Sequence, residues 1–417
     1  MQAERRRNRG LGLLALLVLL VALCMLDLRS TATAGPNAPP DAAFGARSVA
    51  VSAPVRFIKD ADSSFDAELR TEDPGRRAWM RAHYFRMLGF HPFFTQHALS
   101  WAPPSFFYKD AYAIYNDNKG LPLRPDRTTL EDHPDWALKN RYGNRLFIPF
   151  ACDGTSCPAF AGSFGRLDFR NYWMAGARDI YSRGYAGIYI DDVNMAWRTS
   201  NGRGEFVRPW DPVGHEPMTL ATWRRNMASF TTAVRQQFPS AEIIHNAVWF
   251  APRKNPAVRR QIAAADYIQL ERGFNDPGIT GGRGKYSYRR FLSYIRLVHK
   301  LGASVILNPE SLSDAGASYE LANYFLVRRG NDAIMSKFRS NQSNWWRGWD
   351  TYLGASQSHW YRWHGLYRRD YGRGITLVNP PASPSRSVAL GHSFHTLNGS
   401  SYRQITLRPR SGQILFR

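Results

Sequence analysis

From about residue 85 onward, short apolar runs alternate with longer stretches in which apolar side chains recur every three or four positions. The runs cover residues 87–94, 105–108, 146–150, 186–190, 242–245, 267–270, 304–307 and 332–335. Such runs, apolar on both faces and bounded by polar residues, suit strands of a parallel sheet covered on each side. Helical spacing fills several of the gaps, at residues 172–182 before the fourth run, 220–237 after it and 288–301 before the seventh. This alternation over some 250 residues predicts a (β/α)8 TIM-type barrel in the α/β class. A doubly wound open sheet is the competing arrangement, but no glycine-rich phosphate loop follows an early strand, which weakens its nucleotide-binding form. Beyond about Asp350 the helical period stops. Residues 374–379, 387–390, 402–407 and 412–416 are short alternating segments between Pro, Gly and Ser turns, and they predict a small C-terminal antiparallel β-sandwich.

Ahead of the first run, Arg5, Arg6, Arg7 and Arg9 precede an apolar stretch over residues 11–26, and Ala32-Thr33-Ala34 follows. Basic region, apolar region and small-residue site come in the order of a secretory signal. The apolar stretch of 16 residues is shorter than the roughly 20 that span a bilayer, so cleavage after Ala34 is favoured over the alternative, a permanent anchor. The chain is then divided into a signal or anchor (1–34), a Pro/Ala/Gly-rich linker (35–53), a catalytic barrel (54–349) and a β module (350–417). Secretion, or retention in the periplasm or cell envelope, is the expected location, with the membrane touched only through an uncleaved N-terminus. Past the signal the chain has two cysteines, Cys152 and Cys157, which an oxidising compartment would join across a Gly-containing loop. Free thiols or half a metal site are the alternatives, but no further Cys or nearby His completes a zinc spacing. No metal or cofactor is expected.

Composition narrows the classes. Hydrophobic residues at 44% and charged residues at 21% exclude wholesale disorder, collagen and coiled coil, and 417 residues leave room for a barrel plus a small module. Aromatics at 14% suit sugars, nucleobases or membrane interfaces. The net charge is +22, from 55 basic and 33 acidic residues, yet only eight of the 55 are Lys and the arginines are scattered. No nucleic-acid module accompanies them, so attraction to an anionic envelope polymer is the milder reading.

In a barrel the chemistry sits at the carboxyl ends of the strands. Gly184-Tyr-Ala-Gly-Ile-Tyr-Ile-Asp191-Asp192-Val-Asn194 ends a buried-looking strand in two carboxylates. Successive side chains point to opposite faces, so only one of the two can aim into the mouth. Asp191 is favoured, and the bland alternative is a pair that caps the next loop. Glu271 closes the sixth run in an equivalent position, with Arg272 beside it as a plain salt-bridge partner in the alternative reading. Two carboxylates across a barrel mouth are the minimum equipment for glycosidic hydrolysis, one protonated as acid and one ionised as nucleophile or base. Further sugar contacts are expected from Lys109, Asp110, Asp168, Asn194, His245, Asn246, Asn308 and Glu310, and platforms from Trp136, Tyr189, Trp197, Trp210 and Trp249. No Gly-x-Ser-x-Gly elbow and no His-Glu-x-x-His occurs.

His133-Pro-Asp-Trp136 with Tyr142-Gly143, Leu167-Asp-Phe-Arg-Asn171, Gly187-Ile-Tyr-Ile-Asp-Asp-Val193 and Thr376-Leu-Val-Asn-Pro380 resemble the TIM-barrel glycosyl hydrolases grouped as hypothetical glycosyl hydrolase family 15. More distantly, the strand-end Asp pair is similar to that of the endo-α-1,4-polygalactosaminidase family. The resemblance spans roughly residues 85–417. It implies a secreted or envelope polysaccharide hydrolase whose catalytic pair is Asp191 or Asp192 with Glu271, followed by a C-terminal β-sandwich. The loop between Cys152 and Cys157 has no match in that pattern. A non-catalytic carbohydrate-binding protein on the same barrel is the alternative.

Overall fold

Eight parallel strands close a barrel: β1 Phe57–Lys59, β2 Arg86–Gly89, β3 Ser105–Asp110, β4 Gly187–Asp191, β5 Glu242–Asn246, β6 Tyr267–Glu271, β7 Ser304–Asn308 and β8 Ala333–Ser336. Each pairs with its sequence neighbours, and β1 closes the ring by pairing both β8 and β2. The computed structural model describes residues 54–60, 70–89, 100–117, 124–150, 152, 157–211, 215–309 and 312–417. The expected signal or anchor, the linker and Glu310 lie outside the described residues.

Two corrections to the strand pattern follow. Residues 146–150 form no barrel strand; Phe147 makes only isolated bridges to Phe160 and Ser200, inside the long excursion between β3 and β4. Their apolar character comes from packing in that excursion, where Leu146 and Ile148 are buried with Ala159 and Ala161. The remaining strand is β1, whose three residues are too few to show a period.

Helices alternate with strands on the outside: α1 Pro74–His83, α2 Leu167–Tyr181, α3 Leu220–Gln237, α4 Pro256–Ala263, α5 Tyr288–Lys300 and α6 Asp314–Val327. Their starts are written in the sequence. Asp73 and Asn255 cap α1 and α4 just before a Pro at the first helical position, while Thr219, Ser287 and Ser313 cap α3, α5 and α6. On α5 the buried Tyr288, Phe291, Leu292, Ile295 and Val298 follow the helical repeat and face the sheet. Inside the barrel a separate cluster takes alternate strand residues, among them Ile58, Leu88, Phe106, Tyr189, Ile244, Tyr267, Ile306 and Met335. β4 and β5 approach so closely at Gly187 that a Cβ there would lie 2.0 Å from the Glu242 carbonyl oxygen.

The C-terminal module is a six-stranded antiparallel sheet of β9 Tyr361–Trp363, β10 Leu366–Tyr371, β11 Gly374–Asn379, β12 Arg386–His395, β13 Ser401–Leu407 and β14 Ser411–Phe416. The β12–β13 hairpin joins the rest only at His395 opposite Phe416. Val388, Leu390, Ile405 and Leu407 of the hairpin are buried with Leu366, Ile375, Leu377 and Leu415 of the other strands. The opposite face packs on α6, where Thr376 Oγ1 donates to the Ala322 carbonyl at 2.8 Å. Arg369 Nη1 bonds the carbonyls of Phe325, Leu326 and Arg328 at the end of that helix. Ten of the fourteen residues of α6 are buried. Arg410, from the turn before β14, reaches the carbonyls of Asp276 and Ile279 in the loop after β6.

Candidate active site

Tyr189 lies in the barrel interior, so Asp191, two residues on, shares its inner face. Asp192, at φ 53°, turns the chain out of the strand. The Asp191 carboxylate accepts from Tyr108 Oη at 2.8 Å, Asn246 Nδ2 at 2.8 Å and its neighbour's backbone N–H at 2.7 Å. Donors from β3, β5 and the β4 turn thus fix its orientation. The Tyr108 and Tyr189 rings stack with centroids 5.8 Å apart.

The Tyr189 phenol shows what else faces this space. Its proton is held well above the ordinary range, first by burial and then by the charges of Asp191, Asp60 and Glu271. Asp60 just after β1, Asp191 closing β4 and Glu271 closing β6 each stand at a carboxyl-terminal strand end, in phase with the interior residues Ile58, Tyr189 and Tyr267. Glu271 is exposed at the end of β6, in register with Asn308 of β7. β5 lies between β4 and β6, so two strand spacings of about 4.8 Å separate their backbones.

Behind Asp191 lies a second carboxylate pair. Asp110 ends β3 in register with Asp191 and accepts from the N–H groups of Tyr112 at 2.8 Å and Ala113 at 2.7 Å. Burial, then the Asp191 charge, pushes Asp110 up to about 7. Asp192 is raised too, by burial first and then by Asp110 and Asp191. A proton shared by this pair removes one negative charge from beside Asp191.

The turn after Glu271 is held from below. Arg272 adopts φ 67° and its N–H donates to the Asn308 carbonyl at 2.7 Å; Gly273 follows at φ 53°. The fully buried Glu320 of α6 accepts from Phe274 N–H (3.0 Å), Asn275 N–H (3.1 Å) and Asn275 Nδ2 (2.7 Å). A Cβ at Gly273 would lie 2.2 Å from Glu320 Oε1, so only glycine permits this grip. Burial pushes Glu320 up to about 7 despite those donors.

Several expected contacts are elsewhere. Lys109 and His245 sit one residue out of phase with the inner face. Lys109 points at Trp173 of α2, its Nζ 5.4 Å from the ring, with its own proton affinity lowered to about 8 by burial. His245 is fully buried against Gln261 of α4 at 2.9 Å, and burial lowers it to about 3. Asp168 is in the first turn of α2, bound to Arg166 and to Trp136 Nε1, with the Arg166 guanidinium holding it well below the usual carboxylate range. Asn194 is buried and donates to Asp192 Oδ1 at 2.8 Å. Trp197 is half-buried under the Arg208 guanidinium. Trp136 is buried against His133, and Trp210 lies in a two-residue strand of the excursion after β4. Trp249 is buried too, but its ring edge floors a cleft of about 290 Å³ with Phe250, Arg272, Asp276, Gly278 and Tyr286. Cys152 and Cys157 are joined in a disulfide. Sequence reasoning missed Tyr108 and Asp60. The first lies at even spacing from Asp110, which is the signal that points to it; β1 was too short to draw attention to Asp60.

Parallel closure, helices outside and carboxylates at the carboxyl-terminal mouth define a TIM barrel with an acidic site. No protein-family model and no curated protein matches the chain. Among solved structures it is similar to the glycoside hydrolase domain of PelA from Pseudomonas aeruginosa, at 13% identity over 72% of this chain and 98% of that one, with a TM-score of 0.40. It is also similar to a noncanonic maltogenic α-amylase, AmyB, from Thermotoga neapolitana, at 11% identity over 86% and 98% and a TM-score of 0.49. The type III pullulan hydrolase from Thermococcus kodakarensis is a third, at 10% identity over 87% and 82% and 0.46.

Proposed function

We propose that the chain is an exported glycoside hydrolase acting on an extracellular or envelope polysaccharide, in which Glu271 protonates the leaving oxygen and Asp191 acts as nucleophile or base. The observation that carries this reading is the placement of Asp191 and Glu271 at the carboxyl ends of β4 and β6, on the inner face that Tyr189 and Tyr267 mark, with Asp191 held by three donors and Glu271 exposed. A carboxylate fixed by three donors suits attack on carbon or water, and an exposed one at a neighbouring strand end suits proton delivery to the leaving oxygen. The shared proton on Asp110 and Asp192 supports the assignment, since it limits repulsion at Asp191 in the resting state. Export is supported by the order of the N-terminal residues and by the Cys152–Cys157 disulfide. The resemblance of the motifs around Asp191 and Asp192 to those of hypothetical glycosyl hydrolase family 15 and, more distantly, of the polygalactosaminidases supports the same substrate class.

The test is release of reducing ends from a panel of acidic, amino-sugar and neutral polysaccharides. Asp191→Asn and Glu271→Gln should each lower kcat by about 10²–10⁴-fold while leaving binding nearly intact. Binding without any release by the wild-type chain would select the non-catalytic carbohydrate-binding alternative.

A further inference from the structure

Arg253, Arg283, Arg289 and Arg290, with Ser287 and Ser293, line a cleft of about 310 Å³. Arg253 comes from the loop after β5, and the others come from the loop after β6 and the first turns of α5. Loops that follow barrel strands rise on the carboxyl-terminal side, so this cleft opens on the same face as Asp191 and Glu271. Among the described residues no acidic side chain lines it, and none of the four guanidiniums pairs with a carboxylate. The Nε of Arg253 is buried without a hydrogen-bond partner. Its proton is held less tightly than usual because of burial and the like charges of Arg290 and Arg296. Cations gathered in this way repel one another until an anion joins them, and the N-terminal end of α5 adds potential of the same sign.

The chemistry of the lining selects the ligand. A guanidinium presents a planar fork that matches carboxylate, sulfate or phosphate oxygens in pairs. The volume is at the lower end of small-ligand sites, roughly 300–1,000 Å³, so one charged sugar unit is a suitable occupant. The cleft floored by Trp249 lies between the same two loops. Its Phe250 and Tyr286 rings meet edge to face at 5.3 Å, with Lys285 Nζ over both. Tyr286 of this cleft directly precedes Ser287 of the arginine cleft, and its Arg272 directly follows Glu271, so the chain joins it to both. Resting on the hydrolase reading above, we infer that the arginine-lined cleft is a subsite for an anionic group, carboxylate, sulfate or phosphate, borne by the saccharide.

Calorimetric titration of the full chain tests this with an oligogalacturonate, a heparin-derived hexasaccharide, a malto-oligosaccharide of matched length and inorganic phosphate. At least one anionic saccharide should bind about tenfold or more tighter than the neutral one. The Arg253→Gln/Arg290→Gln variant should lose that advantage while keeping its Tm, and Glu271→Gln should retain it. If the variant binds like wild type, or no anionic saccharide binds, the subsite is refuted. Phosphate binding without saccharide binding refutes it as well, leaving a site for a free anion. Reducing-end release in the same samples separates the two readings: anionic binding that needs the arginines without turnover keeps the subsite and removes the hydrolase.

Discussion

Glu320→Gln changes one buried atom and isolates one term in the stability of the barrel mouth. In the unfolded chain this carboxyl titrates at its ordinary 4.5, whereas in the folded chain burial holds the proton up to about 7. At pH 4 both states are protonated, and the substitution costs only a rearranged hydrogen bond to Asn275, about 1 kcal/mol. As pH rises past 4.5 the unfolded chain releases its proton while the folded chain keeps it. The stability contributed by the protonated group therefore declines through this window and is gone once pH exceeds the folded value. The gap between 4.5 and about 7, at roughly 1.36 kcal/mol per unit, removes about 3 kcal/mol from the wild type by pH 8, and glutamine has no such term. Urea unfolding followed by tryptophan fluorescence at pH 4, 6 and 8 measures it. The stability of the variant relative to wild type should climb by about 3 kcal/mol across the series. A difference that stays flat within about 1 kcal/mol, or falls, refutes the reasoning, because it would mean that Glu320 is not held protonated by its burial.

Other outcomes follow from the same geometry. Once a cleaved polymer is in hand, Asp110→Asn should carry the alkaline limb of kcat/KM up from near pH 7, because the amide imitates the protonated form; a pH–rate profile with an unmoved limb counts against the shared proton. On the role proposed for Asp191, Tyr108→Phe should lower kcat with little change in KM, by about tenfold, since it removes one of the donors that orient that carboxylate; steady-state kinetics decide. Gly187→Ala should destabilise the barrel by about 3 kcal/mol or more, as the new methyl has no room against the Glu242 carbonyl; a thermal midpoint unchanged from wild type would contradict that packing. Cys157→Ser should cost about 2 kcal/mol in urea unfolding, the value expected for so short a closed loop.

Much of the barrel was legible because buried parallel strands leave near-continuous apolar runs, and residues 186–190 and 267–270 show this plainly. β1 was not, because three residues carry no period and its partners lie far away in sequence, at Ile334 and Met87. Residues 146–150 look like a strand for a different reason, the burial of an excursion. Within the site, strand phase shows that only one of Asp191 and Asp192 faces inward, and the interior position of Tyr189 makes it Asp191. The same rule, applied to Lys109 and His245, separates them from Asp110 and Asn246 and sends both into the helix layer. Glu320 was invisible: a lone acid in an apolar helix has no sequence signal for the turn it holds, since Phe274 and Asn275 lie some 45 residues away. The arginine cleft was hidden likewise, because its members come from two loops and look scattered along the chain.

The sharing of α6 between barrel and sheet bears on how the chain can be divided or recombined. Accessory modules that serve as tethers can be exchanged, because each partner keeps its own surface when parted. Here one helix presents Glu320 to the turn after Glu271 and Ala322 to the sheet, and Arg369 of β10 closes its last carbonyls. Cutting the chain near residue 350 would bare an apolar flank and leave those carbonyls unanswered. The sheet is therefore inherited with the barrel mouth, and a swap of the C-terminal 68 residues, 350–417, for a foreign domain should yield insoluble protein rather than a soluble barrel with a new module.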